Sequence, residues 1–378
     1  MTDPTPQGRA SRLGALLATR RGKVVAGVVG ALVVLAAAVT AVSMTSSSEA
    51  ASTTTTTTSS TTSSTTTTTA PPPPPPTWPL TGMPLPDPNA ATRPTLIVKI
   101  DNSEPKGRPP AGINQADVVY EERVEGAVTR FMALYHSQDA SPVGPVRSAR
   151  TSDIGLFQPL GHPLFAWSGA NAIFEERIRA AGIIDVGAPV AGGYYSRAGN
   201  RSAPHNLMLN STQEVRLASH PGATPPPTPL FSYRPGGQAP TGGRATLGVR
   251  IVFGHGAGSA PVEFRWNGRG WARSQAGTPH VDAAGVQIAP ENVIVSYTPY
   301  ANSDTNDQFG VPIREAQTVG RGEALILTGG VAIAAYWVKP ALNAPTQYVD
   351  GAGHPIGLSP GRTWVELPEP GTTVFLPR

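Results

Sequence analysis

The sequence predicts an α+β protein: a layered sheet-and-helix N-terminal domain followed by a mainly β C-terminal domain, after a transmembrane helix and a disordered stalk. Three observations predict it. An uncharged apolar run and a Ser/Thr/Pro tract occupy residues 24–77. Between 95 and 217, short β-type runs alternate with capped helical segments. Beyond a Pro/Gly-rich stretch at 218–243, β-type runs recur between turn signals with little helical periodicity.

The apolar run at 24–44, VVAGVVGALVVLAAAVTAVSM, has the length needed to cross a bilayer as a helix. Arg9, Arg12, Arg20, Arg21 and Lys23 precede it, with only Asp3 against them. The positive-inside rule then leaves residues 1–23 in the cytoplasm and the bulk of the chain outside. A cleaved signal peptide, cut near the small residues at 41–43, is the competing reading; both export the remainder. Residues 45–77 are Ser/Thr-rich and end in polyproline at 71–76. Such a tract buries too little apolar surface to fold and serves as a spacer of up to roughly 100 Å. The formal net charge of the 378-residue chain is +4, and its basic excess sits before the apolar run. That excess reports membrane orientation, so the membrane is an expected partner and nucleic acid is not. Cysteine is absent, which excludes disulfides, thiolate catalysis, zinc–thiolate and iron–sulfur sites, and a lipid-modified N-terminal cysteine.

Strands are expected at 95–100 (TLIVKI), 118–120, 129–135 and 164–167. Asn171 caps a helix running to Ala181 and stopped by Gly182, with Ile173, Phe174 and Ile178 on one face. Ser211 opens a second capped helix through the box Ser211-Thr212-Gln213-Glu214. The N-terminal domain is assigned to 78–230 and the C-terminal domain to 231–378, the boundary falling in the loop-like 218–243 stretch. In the second part, 262–266 and 270–273 form a hairpin on the type I′ dipeptide Asn267-Gly268. Strands follow at 293–297, 324–328, 331–338 and 363–367, with Gly329-Gly330 as a turn.

Charge and hydrogen-bonding capacity concentrate between 99 and 153. The runs are K-I-D-N (99–102), N-Q-A-D-V-V-Y-E (114–121), T-R-F (129–131) and V-G-P-V-R-S-A-R (143–150), with A-P-H-N-L following at 203–207. Arg130, Arg147 and Arg150 are forked donors close in sequence to Asp101, Asp117, Glu121, Glu125 and Asp153. Arginine forks bind carboxylate, sulfate or phosphate bidentately. One reading is a cleft for an anionic or glycan-like cell-wall ligand, with Asn102, Asn114 and Asn206 as neutral partners and His205 at its edge. The other is a set of buried Arg–carboxylate pairs that fix loops to the sheet. His205 needs a carboxylate partner to act as a base. Ser168 lacks the G-x-S-x-G context of a hydrolase nucleophile. The NSDTND run at 302–307 lacks the glycine and distal glutamate of a calcium loop and reads as a solvated turn. No catalytic residue, metal ligand or cofactor is assigned.

Together with F-A-W-S-G (165–169), G-T-P-H-V-D (277–282), E-N-V-I-V (291–295) and R-T-W-V-E-L (362–367), these runs resemble the YerB-like family of bacterial lipoproteins, which has no assigned activity. The resemblance extends from Trp78 to Leu367 and implies an envelope location and an α/β domain followed by a β-rich one. Many members of that family are lipid-anchored through cysteine, so a transmembrane anchor is implied here instead. The rhythm of strand, Arg-rich turn and Gly-rich turn is also similar to part of the LytR-CpsA-Psr phosphotransferases, which implies an envelope enzyme as the alternative function. A structural partner-binding protein is the third.

Overall fold

The computed structural model describes residues 75–376 except 126–127, 255–259 and 307–309. The expected cytoplasmic tail, membrane span and nearly all of the stalk lie outside the described residues. Among the described residues, no helix is long and apolar enough to cross a membrane.

In the first half the strands are β1 (Leu96–Asp101), β2 (Val118–Arg123), β3 (Thr129–Tyr135), β4 (Leu164–Ala166), β5 (Ile184–Asp185), β6 (Tyr195–Arg197) and β7 (Leu207–Leu209). The helices are short: α1 (Asp153–Phe157), α2 (Ala172–Ala180) and α3 (Thr212–Leu217). The second half holds strands only. These are β8 (Arg244–Ala245), β9 (Gly248–Ile251), β10 (Val262–Trp266), β11 (Trp271–Gln275), β12 (Thr278–Pro279), β13 (Asn292–Ser296) and β14 (Tyr300–Asn306). They continue with β15 (Pro312–Ala316), β16 (Gly320–Thr328), β17 (Val331–Lys339), β18 (Gln347–Val349), β19 (Thr363–Leu367) and β20 (Thr373–Phe375). The architecture is a mixed α/β first half with few helices and a mainly β second half.

The halves meet in one mixed sheet of order β18-β17-β16-β13-β19-β2-β3-β1-β4-β5. β19, from the C-terminal half, lies parallel to β2 and places Glu366 beside Glu121. β1 is antiparallel to β3 and parallel to β4. Alternation along the strands divides the side chains between two cores. Leu96, Val98 and Ile100 of β1, with Phe131 and Ala133 of β3 and Trp364 of β19, face the smaller sheet of β12-β11-β10-β9-β20, against Phe264 and Trp271. Ile97, Met132 and Leu134 face the helices, against Leu156, Phe157, Phe174 and Ile178. The result is three layers: small sheet, large sheet, helices.

Both predicted caps are present: Asn171 accepts from the Phe174 amide and Ser211 from the Glu214 amide. Gly182, at φ +94°, ends α2 as expected. Ile173 departs from the expected apolar face. It is 48% exposed, because only Phe174 and Ile178, one turn apart, point inward. The β10–β11 hairpin differs too. Trp266 pairs with Trp271, leaving a four-residue loop in which the Asn267 carboxamide accepts from the Arg269 and Gly270 amides. The two-residue turn with positive φ at both positions is Gly329-Gly330, between β16 and β17. Residues 302–306, read as a turn, belong to β14. It forms an isolated two-stranded sheet with β15, and its exposed faces explain the polar sequence.

Candidate functional site

β1 and β4 pair only as far as Val98 and Ala166. Beyond that point they part, and the Arg-rich 145–149 segment enters between them. The Asp101 amide donates to Pro145 O (2.9 Å) and the Arg147 amide to Lys99 O (2.9 Å). On the far side, Ser168 N donates to Arg147 O (3.1 Å) and Ala149 N to Gly169 O (3.1 Å). Gly and Pro at 144–145 keep this segment from continuing as a strand. The crevice at the carboxyl ends of diverging parallel strands is where open α/β sheets place ligands.

Asp101, the last residue of β1, is 1% exposed and faces the helix side. Its Oδ1 accepts from Ser103 N (3.0 Å) and Ser103 Oγ (2.7 Å), and its Oδ2 accepts from His205 Nδ1 (2.5 Å). Arg147 Nε stands 3.6 Å from the same Oδ2. Gly107 closes the loop over this carboxylate; a Cβ there would lie 2.6 Å from Asp101 Cγ. Burial by itself raises the Asp101 pKa. The Ser103 and His205 hydrogen bonds, the Ser103 amide and the Arg147 charge outweigh burial and hold it below the usual carboxylate value.

Arg130, opposite Asp101 in the β1–β3 register, turns to the same face. It is 9% exposed and donates Nη1 to Ser148 O (3.1 Å). Among the described residues no carboxylate oxygen lies within ion-pair distance of it. Burial, followed by the charges of Arg150 and Arg147, pulls its pKa down to about 9 against the opposing pull of Glu125 and Asp101. Arg150 is engaged bidentately by Glu125, through Nε–Oε1 (2.9 Å) and Nη2–Oε2. Besides the 3.6 Å ion pair of its Nε with Asp101, Arg147 makes a 3.5 Å contact from Nη1 to Pro204 O, and its buried Nε forms no hydrogen bond. The three guanidinium groups therefore outnumber Asp101 and Glu125 by one.

His205 lies in the loop joining β6 to β7. Asn206 braces that loop, accepting from Arg197 Nη1 (2.7 Å) and donating to Arg201 O (3.2 Å). Arg201 in turn donates to Lys106 O (3.3 Å) and Pro109 O (2.5 Å), tying the His205 loop to the loop that follows β1. Between the two loops is a cavity of about 390 Å³ lined by Lys106, Arg108 and Arg201. A larger cavity, about 1010 Å³, is walled by Tyr233 and by prolines such as Pro84 and Pro240, away from these charges.

The remaining expected site residues lie elsewhere. Asp117 and Asn114 precede β2, at the opposite end of the sheet from Asp101. Asp117 accepts from the amides of His136 (2.7 Å) and Ser137 (2.6 Å), and Asn114 holds Asp282 (2.8 Å). Glu121 and Asn102 point to the other face. There Asn102 Nδ2 reaches Glu121 Oε1 (3.1 Å) and Thr129 Oγ1 (2.7 Å), and Arg273 Nη2 donates to Glu121 Oε2 (2.7 Å). Odd and even positions of a strand cannot share a face, so Asp101 and Asn102 are separated by the sheet itself.

Two buried ionic clusters take in Glu121, an expected site residue, and Asp153, one of the carboxylates read near the arginines. On the helix side, Lys99 Nζ donates to Glu122 Oε1 and Asp153 Oδ1, both at 2.6 Å, with all three side chains buried. Between the sheets, Arg273 joins Glu121, Gln275 and His280 beneath the rings of Phe131 and Trp364, while the neighbouring Glu366 has no hydrogen-bond partner for either carboxyl oxygen. The signal in the sequence is a single charge inside an apolar strand, as in TLIVKI and TWVEL.

The family model described as "Protein of unknown function (DUF3048) N-terminal domain" matches residues 80–220, and the corresponding C-terminal domain model matches 249–365. The chain is 27% identical over 296 residues to the "Putative lipoprotein YerB" of Bacillus subtilis (strain 168), covering 76% of this chain and 85% of that protein. The crystal structure of YerB protein from Bacillus subtilis superposes with a TM-score of 0.67 at 23% identity, over 80% of this chain and 99% of that one; this likeness is one of fold. With both domain models matched in order, the chain belongs to the DUF3048 family and is a distant homologue of YerB.

Proposed function

We propose that the folded region is tethered outside the cytoplasm and binds a singly charged anionic group, such as a phosphodiester or carboxylate of an envelope glycan, at the Arg130–Arg147 crevice. The observation that carries the reading is Arg130, a buried guanidinium with two like-charged neighbours and no ion-paired carboxylate among the described residues. Two buried like charges side by side are costly, and an anion between them removes that cost. Arg147 supports the reading because most of its donors are unspent. The C-terminal half supplies support, with Arg273 and Glu366 bracing β2 from behind.

Titration with diethyl phosphate is expected to show salt-sensitive binding. Arg147→Ala is expected to weaken it about tenfold or more, and Arg147→Lys to weaken it measurably despite keeping the charge, because the fork is lost. The melting temperature should change little in either variant. A large fall in melting temperature with no binding in the parent protein overturns the site and makes the cluster structural.

The placement rests on the 24–44 run and its one-sided charges. A relative described as a lipoprotein agrees with a tether, and since the sequence holds no cysteine, we assign that tether to the apolar run. Protease added to intact spheroplasts is expected to remove the folded region and spare the N-terminal tail; full protection contradicts the placement.

A further inference from the structure

We propose that His205 is a general base at this site, activating water for hydrolysis of a phosphodiester held by Arg147 and Arg130; the proposal rests on the anion-site reading above.

Asp101 decides which imidazole nitrogen carries the proton. It is ionised and can only accept, so His205 Nδ1 donates to it at 2.5 Å. Ser103 adds to the same fixture: its hydroxyl donates to Asp101 Oδ1 and stands 3.1 Å from Nδ1. The ring is thereby held in one tautomer and one orientation, with Nε2 as the basic atom. Nε2 has no hydrogen-bond partner among the described residues, and the side chain is 15% exposed, at a loop that borders the basic cavity. A carboxylate behind an oriented imidazole with a free distal nitrogen is the arrangement used where a proton must be taken. Ser103 is not the nucleophile, because it meets the imidazole at Nδ1, the nitrogen already committed to Asp101.

The arginines select the substrate class: Arg147 stands beside Asp101 and Arg130 turns to the same face, so an anion with two non-bridging oxygens, as in a phosphodiester, offers an acceptor to each. In the reaction the oxygen of water bonds to phosphorus while its proton passes to Nε2. The bond from phosphorus to one ester oxygen breaks, and Nε2 returns the proton to that oxygen. The products are a phosphomonoester and an alcohol, and the imidazole ends neutral. Arg147 and Arg130 hold the two non-bridging oxygens as charge builds on them. Asp101 is a positioning residue in this scheme.

The test uses the full chain in detergent, with bis(4-nitrophenyl) phosphate for turnover and diethyl phosphate for binding by calorimetry. Wild type is expected to hydrolyse the diester. His205→Gln is expected to lower kcat by about 10²- to 10⁴-fold while leaving diethyl phosphate affinity and melting temperature near wild type. Asp101→Asn should lower kcat and displace the pH profile with little change in KM, whereas Arg147→Ala should lower kcat and raise KM together. If Asp101→Asn fails to fold, His205→Gln, at a partly exposed loop position, carries the test alone. Binding without turnover, or turnover that survives in His205→Gln, overturns the hydrolytic role and leaves the anion site standing. Absence of diethyl phosphate binding overturns both.

Discussion

Arg273→Met is expected to lower the unfolding free energy by about 3–5 kcal/mol, read as a fall in urea midpoint at unchanged slope. Arg273 is fully buried between the two sheets and is the counter-charge of the Glu121 carboxylate. Glu121 is its direct partner, and Glu366 sits beside Glu121 in the β19–β2 register. Burial, and then the Glu121 charge, push the Glu366 pKa well above its ordinary value, so Glu366 is held as the neutral acid. Removing the guanidinium leaves the Glu121 carboxylate in a low-dielectric layer with no counter-charge. Glu366→Gln, which copies the neutral acid in shape, should change stability far less. A loss below about 1 kcal/mol in Arg273→Met would show that the cluster is hydrated and not sealed between the sheets.

The second large effect is expected at Lys99. Lys99→Met leaves Glu122 and Asp153 facing each other in a fully buried site, and a loss of about 3–5 kcal/mol is expected here too. The pH dependence adds a sharper test. Burial, and then the charge of Glu122, raise the Asp153 pKa over the opposing pull of Lys99. A raised carboxyl pKa in the folded state contributes stability that is fully present below the unfolded value and is lost as pH rises through the folded one. The stability of wild type relative to Asp153→Asn is therefore expected to fall from about pH 4 to about pH 7. A difference that stays flat across that window, or rises, contradicts a shared proton at this cluster.

Much of the local structure was legible in the residues. The β3 and β19 bounds, the Asn171 and Ser211 caps and the Gly182 stop all follow from chemistry acting over a few residues. So does the absence of any named helix or strand from 218–243. The misreadings also have local causes. Asn267-Gly268 carries the letters of a tight turn, yet Trp266 and Trp271 pair with their rings in tilted contact at 5.0 Å, which sets a four-residue loop. β14 is polar because both of its faces are exposed, and that pattern is shared with turns.

Composition and short-range order predict the export signal and the stalk, and by themselves determined the positions of several strands and of two helices and the concentration of arginine and carboxylate between 99 and 153. Tertiary structure alone decided which of those charges meet. Asp101 and His205 are 104 residues apart and touch because 145–149 and β7 lie side by side at the end of β1. Asp117 and Glu121 are nearer to Asp101 in sequence, yet one lies at the far end of the sheet and the other behind it. The joining of both halves through β19 and β2 was likewise invisible in the letters. Periodicity along a strand records which way each side chain faces. It carries no record of which distant strand lies alongside, because that choice is made by burial summed over the whole sheet.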